Sequence, residues 1–137
     1  MGESDMIFTF EVETTERNEF INIDHLAKEV LEKSGITEGI ITAFTPHTTS
    51  GVTINENADP DVRRDLVYGM GETFDNKKEY RHAEGNSDSH MKSSLTGASE
   101  TLIVHRGEII YGTWQSLYFA EFDGPRTRKV YFKVLEG

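Results

Sequence analysis

Three of the five histidines lie beside polar, turn-rich stretches of the sequence. His47 opens the segment 47–51, and His82 and His90 bracket a second such stretch. Neutral imidazole is the best transition-metal ligand available to a chain without cysteine. Three histidines around an open position are typical of catalytic zinc, although the spacing of His82 and His90 is not that of a helical pair. Two alternatives follow: a metal site made by a loop that folds back at Gly85, or ordinary polar loop histidines.

Glu84 lies between these two histidines and adds acid–base chemistry to either alternative. Beside a metal, its carboxylate would take a proton from a bound water or orient a histidine ligand. His90 is expected in the first turn of a helix, where the positive end of the helix dipole disfavours imidazolium. A neutral ring is what metal binding requires.

Thr48, Thr49 and Ser50 form a hydroxyl-rich turn next to Gly51. Such a turn can hold phosphate oxygens through its N–H and O–H donors. The alternative is an ordinary turn between strands, capped by its own hydroxyl groups.

Arg126 ends the turn sequence Asp123-Gly124-Pro125-Arg126. A guanidinium can bind phosphate through two parallel hydrogen bonds, and Asp123 could help to hold a metal or an imidazole. The alternative is a hairpin turn with a local ion pair.

Composition excludes several classes of protein. The 137 residues, 15.5 kDa, predict one domain spanning 1–137. Fourteen Lys and Arg against 24 Asp and Glu give a net charge of −10, which would repel nucleic acids and anionic membranes. The absence of cysteine excludes disulfides and thiol nucleophiles, and the P-loop and Rossmann glycine motifs are missing. An acidic N-terminus and the lack of a long apolar run predict a cytoplasmic protein.

Hydrophobic periodicity predicts two or three helices among strands. One helix is expected to begin with Asp24 as its cap and to end at Gly35. A second begins at Asp59-Pro60 and buries Val62, Leu66 and Met70. After a long loop over 75–89, a short helix is expected with Ser89 as its cap. The remaining apolar runs predict strands at 6–14, 39–44, 52–54, 101–105, 108–111, 117–122 and 129–135. The expected fold class is α+β, with mostly antiparallel, sandwich-like sheets.

These segments occur in the order found in the YjbQ family, which the sequence resembles from about residue 6 to its end. The resemblance is carried by segments 46–51, 55–56, 82–90, 112–115 and 123–126. It implies a YjbQ-like homotrimer with a metal, often zinc, held by His47, His82 and His90, and a site that includes Glu84 and Asn86. Segment 87–89 differs from the smaller residues usual there, which leaves the loop conformation open. In a trimer, Trp114 would lie at a subunit interface or in the core.

The resemblance also implies a weak thiamine-phosphate synthase activity, in which a pyrimidine pyrophosphate and a thiazole phosphate are joined and pyrophosphate leaves. We therefore expect a metal-dependent enzyme acting on phosphorylated small molecules, with Glu84, Asn86 and Arg126 as catalytic residues. Thr48, Thr49, Ser50 and Arg126 would bind phosphate. The alternatives are a zinc-dependent hydrolase of a small substrate and a non-catalytic trimer that binds a metabolite.

Overall fold

Antiparallel strands and three helices make up residues 7–137, the part of the chain that the computed structural model describes. The strands are β1 Ile7–Glu13, β2 Glu19–Asn22, β3 Gly39–Phe44, β4 Ser50–Glu56, β5 Ser99–His105, β6 Glu108–Ile109, β7 Gln115–Glu121 and β8 Thr127–Glu136. The helices are α1 Asp24–Ser34, α2 Pro60–Thr73 and α3 Ser87–Thr96. The predicted α+β class is confirmed. Residue 6 of the first predicted strand lies outside the described residues.

The strands form two sheets. The larger has the order β1-β8-β3-β5-β6 and the smaller the order β2-β7-β4, with every pairing antiparallel. Their facing sides share one hydrophobic core, to which α1 contributes Leu26, Ala27 and Val30. Strand β8 shows the alternation of a half-buried strand, since Arg128, Val130, Phe132 and Val134 point inward between exposed or half-exposed neighbours.

Strand β7 is buried on both of its faces, unlike β8. Leu117 and Phe119 belong to the main core, whereas Tyr118 and Ala120 belong to a second cluster on the other side of the small sheet. Helix α2 covers that second cluster with Leu66, Val67 and Met70, which are only half-buried. The expectation that α2 buries Val62, Leu66 and Met70 is therefore wrong in degree: no residue of α2 is fully buried in this chain.

Helix boundaries follow local chemistry, with two corrections. Asp59 caps α2 by accepting from the N–H of Asp61 at 2.9 Å, and Gly35 ends α1 with a φ of 69°, both as predicted. Asp24, however, is the first residue of α1, and its carboxylate accepts instead from the N–H of Leu117 at 2.7 Å. Helix α3 begins at Ser87 after Asn86, so Ser89 lies inside the helix and is not its cap.

Strand β2 was not predicted, and it pairs Glu19–Asn22 with β7. Within residues 7–137, no helix has the length and apolar character that crossing a membrane requires.

Candidate functional site

His82 and His90 meet at the wall of a groove, because the loop between them folds back. Their ring centroids are 5.3 Å apart, and the ring planes are perpendicular. His90 lies in the first turns of α3, and His82 comes from the loop that precedes it. The groove has a volume of about 580 Å³, and its apolar walls are Phe74, Met91 and Leu95. Two imidazoles therefore face a space large enough for a small molecule.

The loop that carries His82 is held by Asn76. Its Nδ2 donates to the carbonyl of Gly85 at 2.8 Å, and its Oδ1 accepts from the N–H of Asp88 at 3.2 Å. Gly85 has a φ of 76°, a left-handed conformation that glycine adopts without strain. The chain therefore reverses at Gly85, as predicted, and delivers Asn86 to the start of α3.

Asn86 links the histidine helix to the β7–β8 turn. Its Nδ2 donates to Asp123 Oδ2 at 2.8 Å, while its Oδ1 is buried and has no partner within residues 7–137. Buried carbonyl oxygens are nearly always hydrogen bonded, so this oxygen needs a donor that residues 7–137 do not supply. A water molecule, or the N–H or O–H group of a ligand, can supply it.

Asp123 also holds Arg126, which explains the position of that guanidinium. Arg126 Nε donates to the backbone carbonyl of Asp123 at 2.9 Å, and Nη2 donates to Asp123 Oδ2 at 3.2 Å. About half of the Arg126 side chain remains exposed. The local ion pair expected from the sequence is present, and it leaves Nη1 without a hydrogen bond in the described part of the chain.

A cluster of charged residues holds the first turn of α3, with Asp88 and Lys92 buried and Arg17 partly exposed. Arg17 donates to both carboxylate oxygens of Asp88, at 3.1 and 3.2 Å. Lys92 Nζ lies 3.7 Å from the same carboxylate and donates to Asn18 Oδ1 at 3.1 Å. Burial would raise the pKa of Asp88, but the hydrogen bonds and charge of Arg17 and the charge of Lys92 outweigh it, so that pKa is lowered. Asp88 therefore stays ionised and holds α3 in place.

His47 lies on a different element, in the loop between β3 and β4. Its Nε2 accepts the backbone N–H of Lys129 in β8 at 2.8 Å. Burial, and then the positive charge of Arg128, lower the pKa of His47, with smaller effects of the same sign from Arg126 and Lys129. Among residues 7–137, no three histidine or acidic side chains are grouped as metal ligands. The structure thus pairs His82 with His90 and leaves His47 outside that pair.

The three hydroxyl groups of the turn at 48–50 differ in their exposure to solvent. Thr49 accepts from Arg128 Nη2 at 2.9 Å through its Oγ1, and Ser50 Oγ lies 2.7 Å from Thr45 Oγ1. Thr49 and Ser50 are buried, and Thr48 is exposed. Of the three predicted phosphate-binding hydroxyl groups, the structure therefore places only that of Thr48 at the surface.

Glu84 is exposed, with Oε1 4.0 Å from His82 Nε2. It therefore lies beside one predicted histidine. Trp114 is 62% exposed and is not a core residue of the chain.

Sequence reasoning missed the charged residues that support the site: Arg17, Asp88, Lys92, Glu121, Arg128 and Lys129. Strand parity could have found Arg128, because it shares the inward face of β8 with Val130 and Phe132. No local signal pairs Arg17 with Asp88, since the two lie far apart along the chain.

Comparison with known proteins identifies the family. The family model described as "UPF0047 protein YjbQ-like" matches residues 8–137. The UPF0047 protein YugU of Bacillus subtilis is 49% identical over 131 residues, which cover 95% of this chain and 99% of that protein. The UPF0047 protein YjbQ of Escherichia coli O157:H7 is 36% identical over 72% of this chain and 73% of its own length.

Solved structures agree in fold. An uncharacterised YjbQ/UPF0047 family protein of Clostridium acetobutylicum superposes with a TM-score of 0.91 and 45% identity, over 93% of this chain and 99% of that one. A hypothetical protein of Aeropyrum pernix gives a TM-score of 0.90 and 30% identity, over 96% and 98% of the two chains. The chain therefore belongs to the YjbQ/UPF0047 family.

Proposed function

We propose that this protein is a cytoplasmic, metal-dependent enzyme that acts on phosphorylated small molecules, in the manner of a secondary thiamine-phosphate synthase. The observation that carries the proposal is the pair of His82 and His90 on the wall of a groove of about 580 Å³. Asn86, with its unpartnered Oδ1, immediately precedes the helix that carries His90. The half-exposed guanidinium of Arg126 is linked to Asn86 through Asp123. The proposed metal ligands, amide acceptor and phosphate-binding cation are thus linked through Asn86 and Asp123.

The histidine pair fits two positions of a zinc site. Two imidazoles that share a tetrahedral ion, each nitrogen about 2.1 Å from it, have ring centroids roughly 5 Å apart. The observed 5.3 Å matches that value, and it also matches edge-to-face ring packing without a metal. A catalytic zinc needs a third protein ligand, which the described part of this chain does not group with the pair. A second copy of the chain is the proposed source.

The chain's own residues would bind the substrate and stabilise its departing charge. Arg126 would hold a phosphate through Nη1, and Thr48 would donate its hydroxyl to another oxygen. Asn86 Oδ1 would accept a hydrogen bond from the substrate, and Glu84 would hold or accept a proton beside His82. A bound metal would add positive charge against the leaving pyrophosphate. Stabilisation of a leaving anion requires no protein nucleophile.

The proposal is tested by zinc content and by pyrophosphate release from a pyrimidine pyrophosphate and a thiazole phosphate. Wild type, His82→Ala, His90→Ala and the control His25→Ala are compared, because His25 is an exposed histidine on α1, away from the groove. We expect zinc binding and turnover in wild type and in the control. Each site variant should lose zinc and slow turnover on the order of a hundredfold or more.

Three other results would contradict this proposal in different ways. Equal rates in wild type and His82→Ala would remove the metal from the mechanism. Zinc-dependent hydrolysis of a phosphoester without condensation would favour a hydrolase with Glu84 as base. Bound metabolite without turnover would favour a non-catalytic binding protein.

We also propose that the protein assembles as a homotrimer, with the outer face of the large sheet as its interface. Ile40 pairs in register with both Ile103 and Leu135, which places an apolar row across β5, β3 and β8. Ile103 is 56% exposed and Leu135 is 61% exposed in the single chain. A contiguous exposed apolar patch of this kind favours a contact surface.

The trimer is tested by sedimentation velocity. Ile103→Asp should dissociate it, because a carboxylate would be buried unpaired at the interface. Tyr68→Asp serves as the control, since Tyr68 is exposed on α2, outside the sheet. A wild-type monomer, or a trimer that survives Ile103→Asp and not Tyr68→Asp, would contradict the proposed interface.

A further inference from the structure

A second cavity lies between helix α1 and strand β6. It has a volume of about 250 Å³, and none of its lining residues belongs to the groove that carries the paired histidines. Three residues of α1 at helical spacing form one wall: Asp24, Lys28 and Leu31. The opposite wall is made by residues 107–109 and Tyr111. Drug-sized ligands occupy pockets of about 300–1,000 Å³, so this cavity suits a smaller molecule.

Tyr111 brings a buried polar atom to this cavity. Its Oη is buried and has no hydrogen-bond partner of normal geometry within residues 7–137. Burial raises the pKa of Tyr111, and the nearby carboxylate of Asp24 raises it further. The hydroxyl group is therefore protonated at neutral pH. Buried hydroxyl groups are nearly always hydrogen bonded, so this one needs a partner that the described residues do not supply.

Asp24 adds a free acceptor beside that hydroxyl group. Its Oδ1 accepts from the N–H of Leu117 at 2.7 Å, whereas its Oδ2 accepts no hydrogen bond within residues 7–137. A group that donates to Asp24 Oδ2 and also pairs with Tyr111 Oη would satisfy both atoms. An ammonium group suits this position, because it has several N–H donors and a charge opposite to that of the carboxylate.

Lys28 and Glu108 are the other charged residues of the lining. Both are exposed, and neither makes an ion pair within residues 7–137. The flexible stem of a lysine allows its ammonium group to reach a ligand at the mouth of the cavity. The lining thus offers both signs of charge, which matches a zwitterion better than an ion of one sign.

The rest of the lining is mainly apolar. Leu31, Ile109 and the ring of Tyr111 are half-buried and pack against the main core. An apolar group placed against them would be removed from water, which is a favourable contribution to binding. The ligand is therefore expected to carry an apolar body next to its charged groups.

We propose that this cavity binds a free α-amino acid with an apolar side chain, such as leucine. The ammonium group of the ligand contacts Asp24 Oδ2 and Tyr111 Oη, and its carboxylate contacts Lys28 Nζ. Its side chain packs against Leu31 and Ile109. The inference does not rest on the proposed function, because the two sites share no residue.

The site is tested by ¹H–¹⁵N NMR titration of the full wild-type chain with L-leucine. We expect saturable shifts of backbone amides in 24–31 and 107–111, and none around the histidine groove. Isocaproate, which lacks the ammonium group of leucine, should bind roughly tenfold more weakly or worse, because a charge-assisted hydrogen bond is lost. Isoamylamine, which lacks the carboxylate, should bind about threefold to tenfold more weakly, since Lys28 is exposed.

Two variants and their controls assign the contacts. Tyr111→Phe keeps the ring and removes only the hydroxyl group, so it should weaken leucine binding about threefold to tenfold. Lys28→Ala should weaken it to a similar degree and should abolish the preference for leucine over isoamylamine. Tyr68→Phe and Lys33→Ala are the matched controls, since Tyr68 is exposed on α2 and Lys33 lies in the last turn of α1, outside the cavity.

Several results would overturn the inference. They are the absence of saturable shifts with leucine, shifts confined to other surfaces, equal binding of leucine and isoamylamine by wild type, and equal affinities of each variant and its control. A crystal structure at saturating leucine with only water between Tyr111 and Asp24 would assign the cavity to solvent. Zinc content and turnover, which test the proposed function, do not enter these measurements.

Discussion

Arg128 and Glu121 form an ion pair inside the protein, with Arg128 only 2% exposed and Glu121 fully buried. Glu121 also accepts from Thr14 Oγ1 at 2.8 Å and from the N–H of Asp123 at 2.9 Å. Burial would raise the pKa of Glu121, but hydrogen bonds from Arg128, from the N–H of Asp123 and from Thr14 lower it. These bonds fix the start of the turn that carries Asp123 and Arg126.

Arg128→Met should lower the free energy of unfolding by about 3–5 kcal/mol, because it leaves a buried carboxylate without its partner. Urea unfolding measures this change, and Lys133→Met on the same strand provides an exposed control. Combining Arg128→Met with Glu121→Leu should recover part of the loss, since the pair is then replaced by apolar groups. A single variant as stable as wild type would show that the pair contributes nothing.

For single residues, the sequence predicted which side chains belong to the candidate site better than it predicted their exposure to solvent. His82, His90 and Arg126 follow from residue type and Asn86 from the family resemblance, and the structure places all four in a connected region. The turn at 48–50 gave no sign of which hydroxyl groups face inward, because that depends on Arg128, which is distant in sequence.

Helix α2 contains Gly69 and Gly71 and covers its sheet incompletely. A Cβ at either position would meet nothing within 4 Å. Glycine inside a helix destabilises it, because the unfolded chain loses more conformational freedom there than with alanine. The two glycines therefore weaken a helix that has little burial to compensate.

Gly69→Ala and Gly71→Ala should each raise the free energy of unfolding by about 0.5–1 kcal/mol. Chemical denaturation measures the gain. Gly51→Ala in β4 should have the opposite effect, because its Cβ would lie 2.7 Å from Thr96 Cγ2 and 3.0 Å from the carbonyl of Gly97. If Gly69→Ala destabilised the protein, the surface around α2 would have to be occupied, for example by a second copy.

Elements with strong local signals were predictable, and those stabilised by distant partners were not. Helix α1 has regular apolar spacing and a left-handed Gly35, and both are visible in the sequence. Strand β2 is four residues long, and it forms because β7 offers it an edge. The extra turn at the start of α3 depends on the hydrogen bonds of Asp88 with Arg17 and of Ser89 with the carbonyl of Phe122, and both partners are distant in sequence.

We expect acid to lower the free energy of unfolding in two stages. The measurement is made at a fixed protein concentration and in the presence of a chelator. The lowered pKa of His47 means that the unfolded chain binds its proton first, so stability falls as the pH drops below about 6.5. The lowered pKa values of Glu121 and Asp88 give stability that is complete above their ordinary values of 4.5 and 3.8 and is lost below them. Unfolding free energies measured from pH 8 to about pH 3 test both stages.

His47→Asn should abolish the upper stage and keep the lower one, whereas Glu121→Gln should weaken the lower one. If the loss of stability below about pH 6.5 persisted in His47→Asn, a group other than His47 would be responsible for it.

The order of strands in the large sheet has a consequence for biosynthesis. Strand β8 lies between β1 and β3, so within residues 7–137 the strand translated first in this sheet hydrogen bonds only to the one translated last. During synthesis, β1 has no neighbour until residues 127–136 have left the ribosome. Its apolar side therefore stays without its strand partner for most of the time of translation, and we expect the nascent chain to be prone to aggregation until β8 is complete.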